Sequence, residues 1–408
     1  MVAVAHECRK PRMSIAKLAR GQVKSKWEQP RATPPAAKTA APASSSFQGA
    51  NSTSKIALPS SGFSFDDVVR GAKRALFAII GWRPNDGQGT VVSDPSDVND
   101  GADVSGDRAA TAVAQLSSNR LAEYAAVNQL SKDDRASYLA LSRELRRPGG
   151  DPVAALALQT MLLDGRVTKS PALLTNLNAM LTQPLTPEIE LRILLPELIQ
   201  EVAVPEAMNQ TTKNTCVPTV INMQLAMNDP AEYVRLVSGL ATPEGRVTTR
   251  GGDALVREPG VFIDGTTRSL PQKLMSPAVM ELANGKEDYD NAADRHTGLI
   301  IDQWGMSPWR ADAALESLSG KNHEFKLTMT DGAREHAMNT VDSRLERGDS
   351  TLTVLWWGDS LHALLVTGTE TRDGVPHVRY QNPWGVVEVM PKAEFESRLF
   401  FINYDAKS

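Results

Sequence analysis

Cysteine is scarce in this chain. Two occur in 408 residues, Cys8 and Cys216, too few for a disulfide framework. There is no Cys-x-x-Cys, no His-Glu-x-x-His and no paired His/Cys spacing, so neither zinc nor another metal or cofactor is expected. Two acidic stretches fail as calcium loops. Counted from Asp97, the twelfth position is Arg108, where the ion needs a bidentate Glu; counted from Asp288, the sixth is Ala293 instead of Gly. No apolar run approaches the roughly 18 residues of a membrane span. The opening MVAVAHECRKPRM has no apolar core behind its charges, so no secretory signal is expected. That leaves a cytosolic protein, or one exported by a route that uses no such signal. Neither sign of charge dominates: 44 Lys and Arg against 48 Asp and Glu give −4. Without a basic face interleaved with aromatics, a nucleic-acid partner is not expected.

What is present suits a globular protein with room for two or three domains, at 41% hydrophobic and 23% charged residues. Residues 1–60 carry ten Lys/Arg against Glu7 and Glu28 and include the tract RATPPAAKTAAPASSSFQG. Such a composition cannot bury enough apolar surface to offset its ordering entropy, so a disordered basic tail is expected. In residues 61–107, a helix over 64–81 is followed by an acidic Gly/Asp linker from 83. The helix has Ser64 as N-cap, Asp66 and Asp67 in its first turn and an apolar stripe from Phe65 to Ile80. The stripe suits docking on the protein's own core, or contact with a membrane surface. Residues 108–203 read as an all-helical domain of four or five helices, with starts at Pro171 and Pro187. Residues 204–408 read as mixed α and β, with helices over 217–228, 230–240, 308–319 and 332–347 and a loop-rich interval over 243–305.

The most informative stretch is WWGDSLHALLVTGTETRDGVPHVRYQNPWGVVEV, residues 356–389. TLTVLWW, HALLVTG and VRYQN are β-rich runs separated by turns at Gly358-Asp359 and Asp373-Gly374. His362 opens the second run and Asn382 closes the third, so in a hairpin they share one end of adjacent strands. Asn382 can then accept from one imidazole nitrogen and fix the tautomer. Pro383 stiffens the turn, and Trp384 can shield the pair from water. His377 also opens a strand and competes with His362. A histidine held by an amide lacks only a nucleophile. Cys216, in NQTTKNTCVPTVINMQLAM, falls at a helix start, where backbone N–H groups favour a thiolate and can bind an oxyanion. Gln210, six residues earlier, can supply a second oxyanion donor, with Asn209 as its alternative. A buried inert cysteine is the competing reading of Cys216.

The ordered set Gln210, Cys216, His362, Asn382 resembles that of papain-like cysteine peptidases. HALLVTG and VRYQNPWG are similar to the His and Asn motifs of calpains. The run Cys216-Val217-Pro218-Thr219 departs from the Cys-Trp of papain and looks more like the start of bacteriocin-processing peptidase-like domains, whose third member is usually Asp. The resemblance covers roughly 205–405 and implies an α+β fold with a papain-like catalytic domain over 204–408; the amphipathic helix and helical domain before it, tethered by the acidic linker, are expected to regulate it. It implies a peptidase acting on protein or peptide substrates, with Cys216 as nucleophile, His362 as base, Asn382 orienting it and Gln210 completing the oxyanion site. The same set also suits a deamidase or acyltransferase, and an inactive fold of this kind would serve as a binding module.

Overall fold

The computed structural model describes residues 64–80, 105–284, 288–297 and 305–406. The tail 1–60 and most of the linker 83–107 lie outside the described residues. The fold is α+β, a helical region followed by a six-stranded antiparallel sheet. Helices α1 (Phe65–Ile80), α2 (Ser105–Ser118), α3 (Arg120–Gln129), α4 (Lys132–Arg146), α5 (Pro152–Leu163), α6 (Arg166–Lys169), α7 (Leu173–Ala179) and α8 (Leu191–Ala203) come first. Helices α1 to α4, α6 and α8 pack on α5, PVAALALQTMLL, which is buried on every side from Ala154 to Leu163. Asp151 caps α5 by accepting from Ala154 N, and Pro152 follows at the position where a missing N–H costs nothing. The apolar stripe of α1 turns inward, burying Ala72, Leu76 and Ile79, and packs on α5 and α2. The region holds more and shorter helices than the four or five expected after residue 108. Pro171 and Pro187 sit in turns ahead of α7 and α8 instead of at their first positions.

The chain continues with α9 (Cys216–Asn228), α10 (Pro230–Ala241), the hairpin β1 (Arg246–Thr248) and β2 (Ala254–Val256), α11 (Leu270–Asn284), and the hairpin β3 (Asp288–Asp290) and β4 (Arg295–Thr297). The 15-residue α11 corrects the expectation of loop over 243–305. Its sequence, LPQKLMSPAVMELAN, carries Pro277 inside the helix, which local propensity scores as a break. Burial of Leu274, Met275, Ala278 and Val279 overrides that penalty. Next come α12 (Pro308–Ser319), β5 (His323–Leu327), α13 (Asp331–Glu346), β6 (Thr351–Trp357), β7 (Ser360–Arg372), β8 (Val375–Asn382), β9 (Val386–Pro391), α14 (Lys392–Arg398) and β10 (Leu399–Asp405). The sheet order is β5-β10-β6-β7-β8-β9, antiparallel throughout. Gly358 at φ 61° and the pair Asp373 (φ 50°) and Gly374 (φ 77°) make the two tight turns in the left-handed region.

The two faces of the sheet bury different clusters. Leu352, Val354, Ala363, Leu365 and Phe401 join one core with α9, α10, α11 and the helices before residue 204, reaching back to Leu76. Leu355, Trp357, Leu364, Val366 and Ile402 pack with α13 and α14 on the other side. The helical region and the sheet therefore share a single continuous core on the α9 face. No helix among the described residues is long and apolar enough to cross a membrane.

Candidate active site

Cys216 is the first residue of α9, with Pro218 in the first turn, so the sulfur lies at the helix N-terminus. Helix α9 packs on β7, which brings the sulfur to the Ala363 backbone N–H, one residue along from His362. The N–H groups of Val217 and Cys216 itself also face the sulfur. Burial is the larger influence and pushes the thiol pKa up, while these three N–H groups pull it down. The expected resting thiolate is thus opposed by enclosure of a half-buried side chain. No hydrogen bond joins Cys216 and His362 among the described residues.

His362 is 5% exposed and bonds through Nε2 to Asn382 Oδ1 at 2.9 Å. Since the amide oxygen accepts, Nε2 carries the proton and Nδ1 is free to take one. The amide is fixed from its far side: Asn382 Nδ2 donates to Glu388 Oε2 at 2.8 Å, and Trp384 N donates to Asn382 Oδ1 at 3.2 Å. Trp384 stacks on the imidazole at 4.3 Å between ring centroids and 26° between planes, and Trp357 lies tilted at 5.4 Å. Burial in this setting lowers the His362 pKa to about 4, against the raising effect of Asn382. His377 stands apart. It is half-buried, bonds its own strand's Val375 carbonyl, and pairs with Glu370 far along the ladder.

Gln210 reaches the same turn. Its N–H donates to the Pro383 carbonyl at 2.7 Å, and Asn209 pairs with Trp384 in an isolated bridge. Gln210 Nε2 donates to Lys213 O at 2.7 Å, which leaves one further N–H on that nitrogen, and its buried Oε1 has no partner. Asn209 spends its side-chain oxygen on Thr211 N. The structure thus gathers Gln210, Asn382 and His362 around one turn and sets Cys216 against the residue after His362. Two members were not anticipated from sequence. Glu388, buried at 1% exposure on β9, was legible only as a lone charge inside VVEVM. Trp357 is the last residue of its strand and gave no local signal. No group of three or more His, Cys, Asp or Glu able to hold a metal occurs among the described residues.

The chain matches no protein-family model and no curated protein.

Proposed function

We propose that residues 204–408 form a papain-like domain that hydrolyses amide bonds through a Cys216–His362–Asn382 triad, most directly in peptides. The observation that carries this reading is the chain Glu388–Asn382–His362, whose histidine immediately precedes the Ala363 N–H that faces the Cys216 sulfur at a helix N-terminus. Burial penalises a lone thiolate and a lone imidazolium, but transfer of the thiol proton to His362 Nδ1 makes a pair that is neutral overall. The thiolate keeps its N–H donors, and the imidazolium keeps Asn382 Oδ1 and the stacked face of Trp384, which attracts a cation. The thiolate then attacks the carbonyl carbon. The developing oxyanion takes the Cys216 N–H, which has no acceptor within the helix, and the spare Gln210 N–H. His362 passes its proton to the leaving amine, and water, deprotonated by the same imidazole, releases the acyl group from sulfur.

An extended substrate suits the surroundings. On the α9-facing side of the sheet, Trp356 and Leu361 form a cross-strand pair next to the Val354–Ala363 pair. They stay 48% and 40% exposed, with Phe400 edge-on to Trp356 at 5.5 Å. Such a platform offers an apolar side chain of a peptide a place beside the nucleophile.

The binding-module reading has its own support. The thiol is pushed up, the imidazole is pushed down, and Gln210 already spends an N–H on Lys213. Mass spectrometry of proteins incubated with the full chain separates the readings. Peptidase activity gives new termini that vanish with Cys216→Ala, and deamidation gives a gain of about one dalton at Gln or Asn without new termini. Neither product in folded samples supports the binding module and sinks the hydrolase.

A further inference from the structure

The three residues before Cys216 are held from one side. Lys213 Nζ donates to the Asn291 carbonyl at 2.6 Å. Asn214 donates its backbone N–H to both oxygens of Asp294, at 3.1 and 2.8 Å, and its side-chain amide to one of them at 2.7 Å. The Thr215 hydroxyl accepts from Arg268 at 3.4 Å, and the buried Arg268 also holds Asp264 and, at 3.0 Å, Asn291 Oδ1. The turn between β3 and β4, backed by Arg268, therefore ties residues 213, 214 and 215 in succession. The Asp294 carboxylate is itself steadied by the hydroxyl of the buried Tyr289 at 2.8 Å. Meanwhile α9 has no side-chain cap of its own: Thr215 makes no capping bond. An uncapped first turn leaves its N–H groups and its first side chain free to fray, so the entry to α9 needs an outside anchor.

We propose that Asp294 is a positioning residue for Cys216: by fixing the Asn214 peptide it sets where the thiol and the backbone N–H at the start of α9 face. This rests on reading Cys216 and His362 as a nucleophile–base pair. Among the described residues, the charged groups recorded at the segment are its own Lys213, Asp294 on the hairpin and the Arg268–Asp264 pair behind, with His362 on β7. The charge of Asp294 opposes a thiolate, but it weighs less than each of the backbone N–H groups that favour one. Losing the anchor and losing the charge therefore move the thiol in opposite directions.

The test uses the full chain and iodoacetamide, with peptide mapping to follow Cys216 alkylation from roughly pH 5 to roughly pH 10. Asp294 sits at a left-handed φ of 56°, so Asp294→Gly removes the carboxylate at a backbone that glycine prefers. The inflection in that variant is expected to rise by about half a unit or more, because the sulfur loses N–H partners. Asp294→Asn keeps an acceptor for the Asn214 N–H and drops the charge, so it is expected to return the inflection to the wild-type value or below. A fall in Asp294→Gly means that the residue acts only as a charge, and an unmoved inflection with a lower melting temperature means a structural tie only. Either result overturns the proposal. Should the glycine variant not fold, Asp294→Ser takes its place with the same expected rise, and an unmoved inflection there is equally fatal. A wild-type profile indifferent to His362→Ala defeats the nucleophile–base reading itself. A profile that depends on His362 but not on Asp294 defeats this inference alone.

Discussion

Asn382→Ala tests the polar chain behind the imidazole. The amide is fully buried and makes three bonds: it accepts from His362 Nε2 at 2.9 Å and Trp384 N at 3.2 Å, and donates to Glu388 at 2.8 Å. Truncation leaves all three partners in a dry setting between two indoles and the sheet. The bond to a carboxylate contributes about 1.5–3 kcal/mol, and each buried donor left unpaired costs about 1–3 kcal/mol. Relaxation and entry of a water recover part of that, so the expected loss is about 3–5 kcal/mol, a large share of the roughly 5–15 kcal/mol that holds a native protein together. The assay is urea unfolding of the full chain by tryptophan fluorescence, which reads Trp357 and Trp384 beside the substitution. Asn382→Asp is the companion variant. It keeps the acceptor facing His362 but sets a second carboxyl against Glu388, so one of the two must hold a proton and its stability is expected to fall as pH rises. A loss below about 1 kcal/mol for Asn382→Ala would refute the claim that Glu388, Asn382 and His362 form one buried chain.

Three further outcomes follow from burial. The His362 pKa is lowered from 6.5 to about 4, so the unfolded chain binds the extra proton between those values. Stability fully present above about pH 6.5 is expected to be lost as pH falls toward 4, by up to about 3 kcal/mol, and urea midpoints of His362→Gln are expected to lack that dependence. Glu201 runs the other way: burial raises its carboxyl from 4.5 to about 7, while Tyr233, Gln272 and Ser269 bond it. Its contribution is present below about pH 4.5 and lost as pH rises through 7, also by up to about 3 kcal/mol, and Glu201→Gln is expected to flatten that limb in the same titration. A chain beginning at Val204 discards the helices that bury Val220, Tyr233 and Leu236 in the shared core. It is expected to be protease-sensitive and to lack a cooperative melt, whereas a well-folded fragment would show that the helical region is separable.

Much of the site's frame was legible because it is local. A hairpin places the opening of one strand beside the close of the next, so His362 and Asn382 could be paired from turn residues alone. CVPTVIN announces a helix start through its proline. The start of α10 was equally readable: Asp229 accepts from Glu232 N with Pro230 following. What was hidden depends on distant partners. Helix α11 carries Pro271 and Pro277 and is held by packing that no window of sequence contains. Asp294 looks like any acidic loop residue until Asn214, 80 positions away, is seen against it. The surroundings of the thiol divide in the same way. A helix N-terminus is visible in sequence, while the burial that pushes the thiol up is a property of the folded chain.

The central claim is that Cys216 is a nucleophile activated by His362, and peptide-mapped alkylation by iodoacetamide near pH 6 tests it most directly. Wild-type protein, His362→Ala and His377→Ala are compared, with Cys8 in the same chain as the internal reference. The account predicts Cys216 alkylation at least about tenfold faster than Cys8, abolished as an advantage by His362→Ala and retained in His377→Ala. Equal rates at Cys216 and Cys8 in folded wild-type protein, or an advantage that survives His362→Ala, would contradict it.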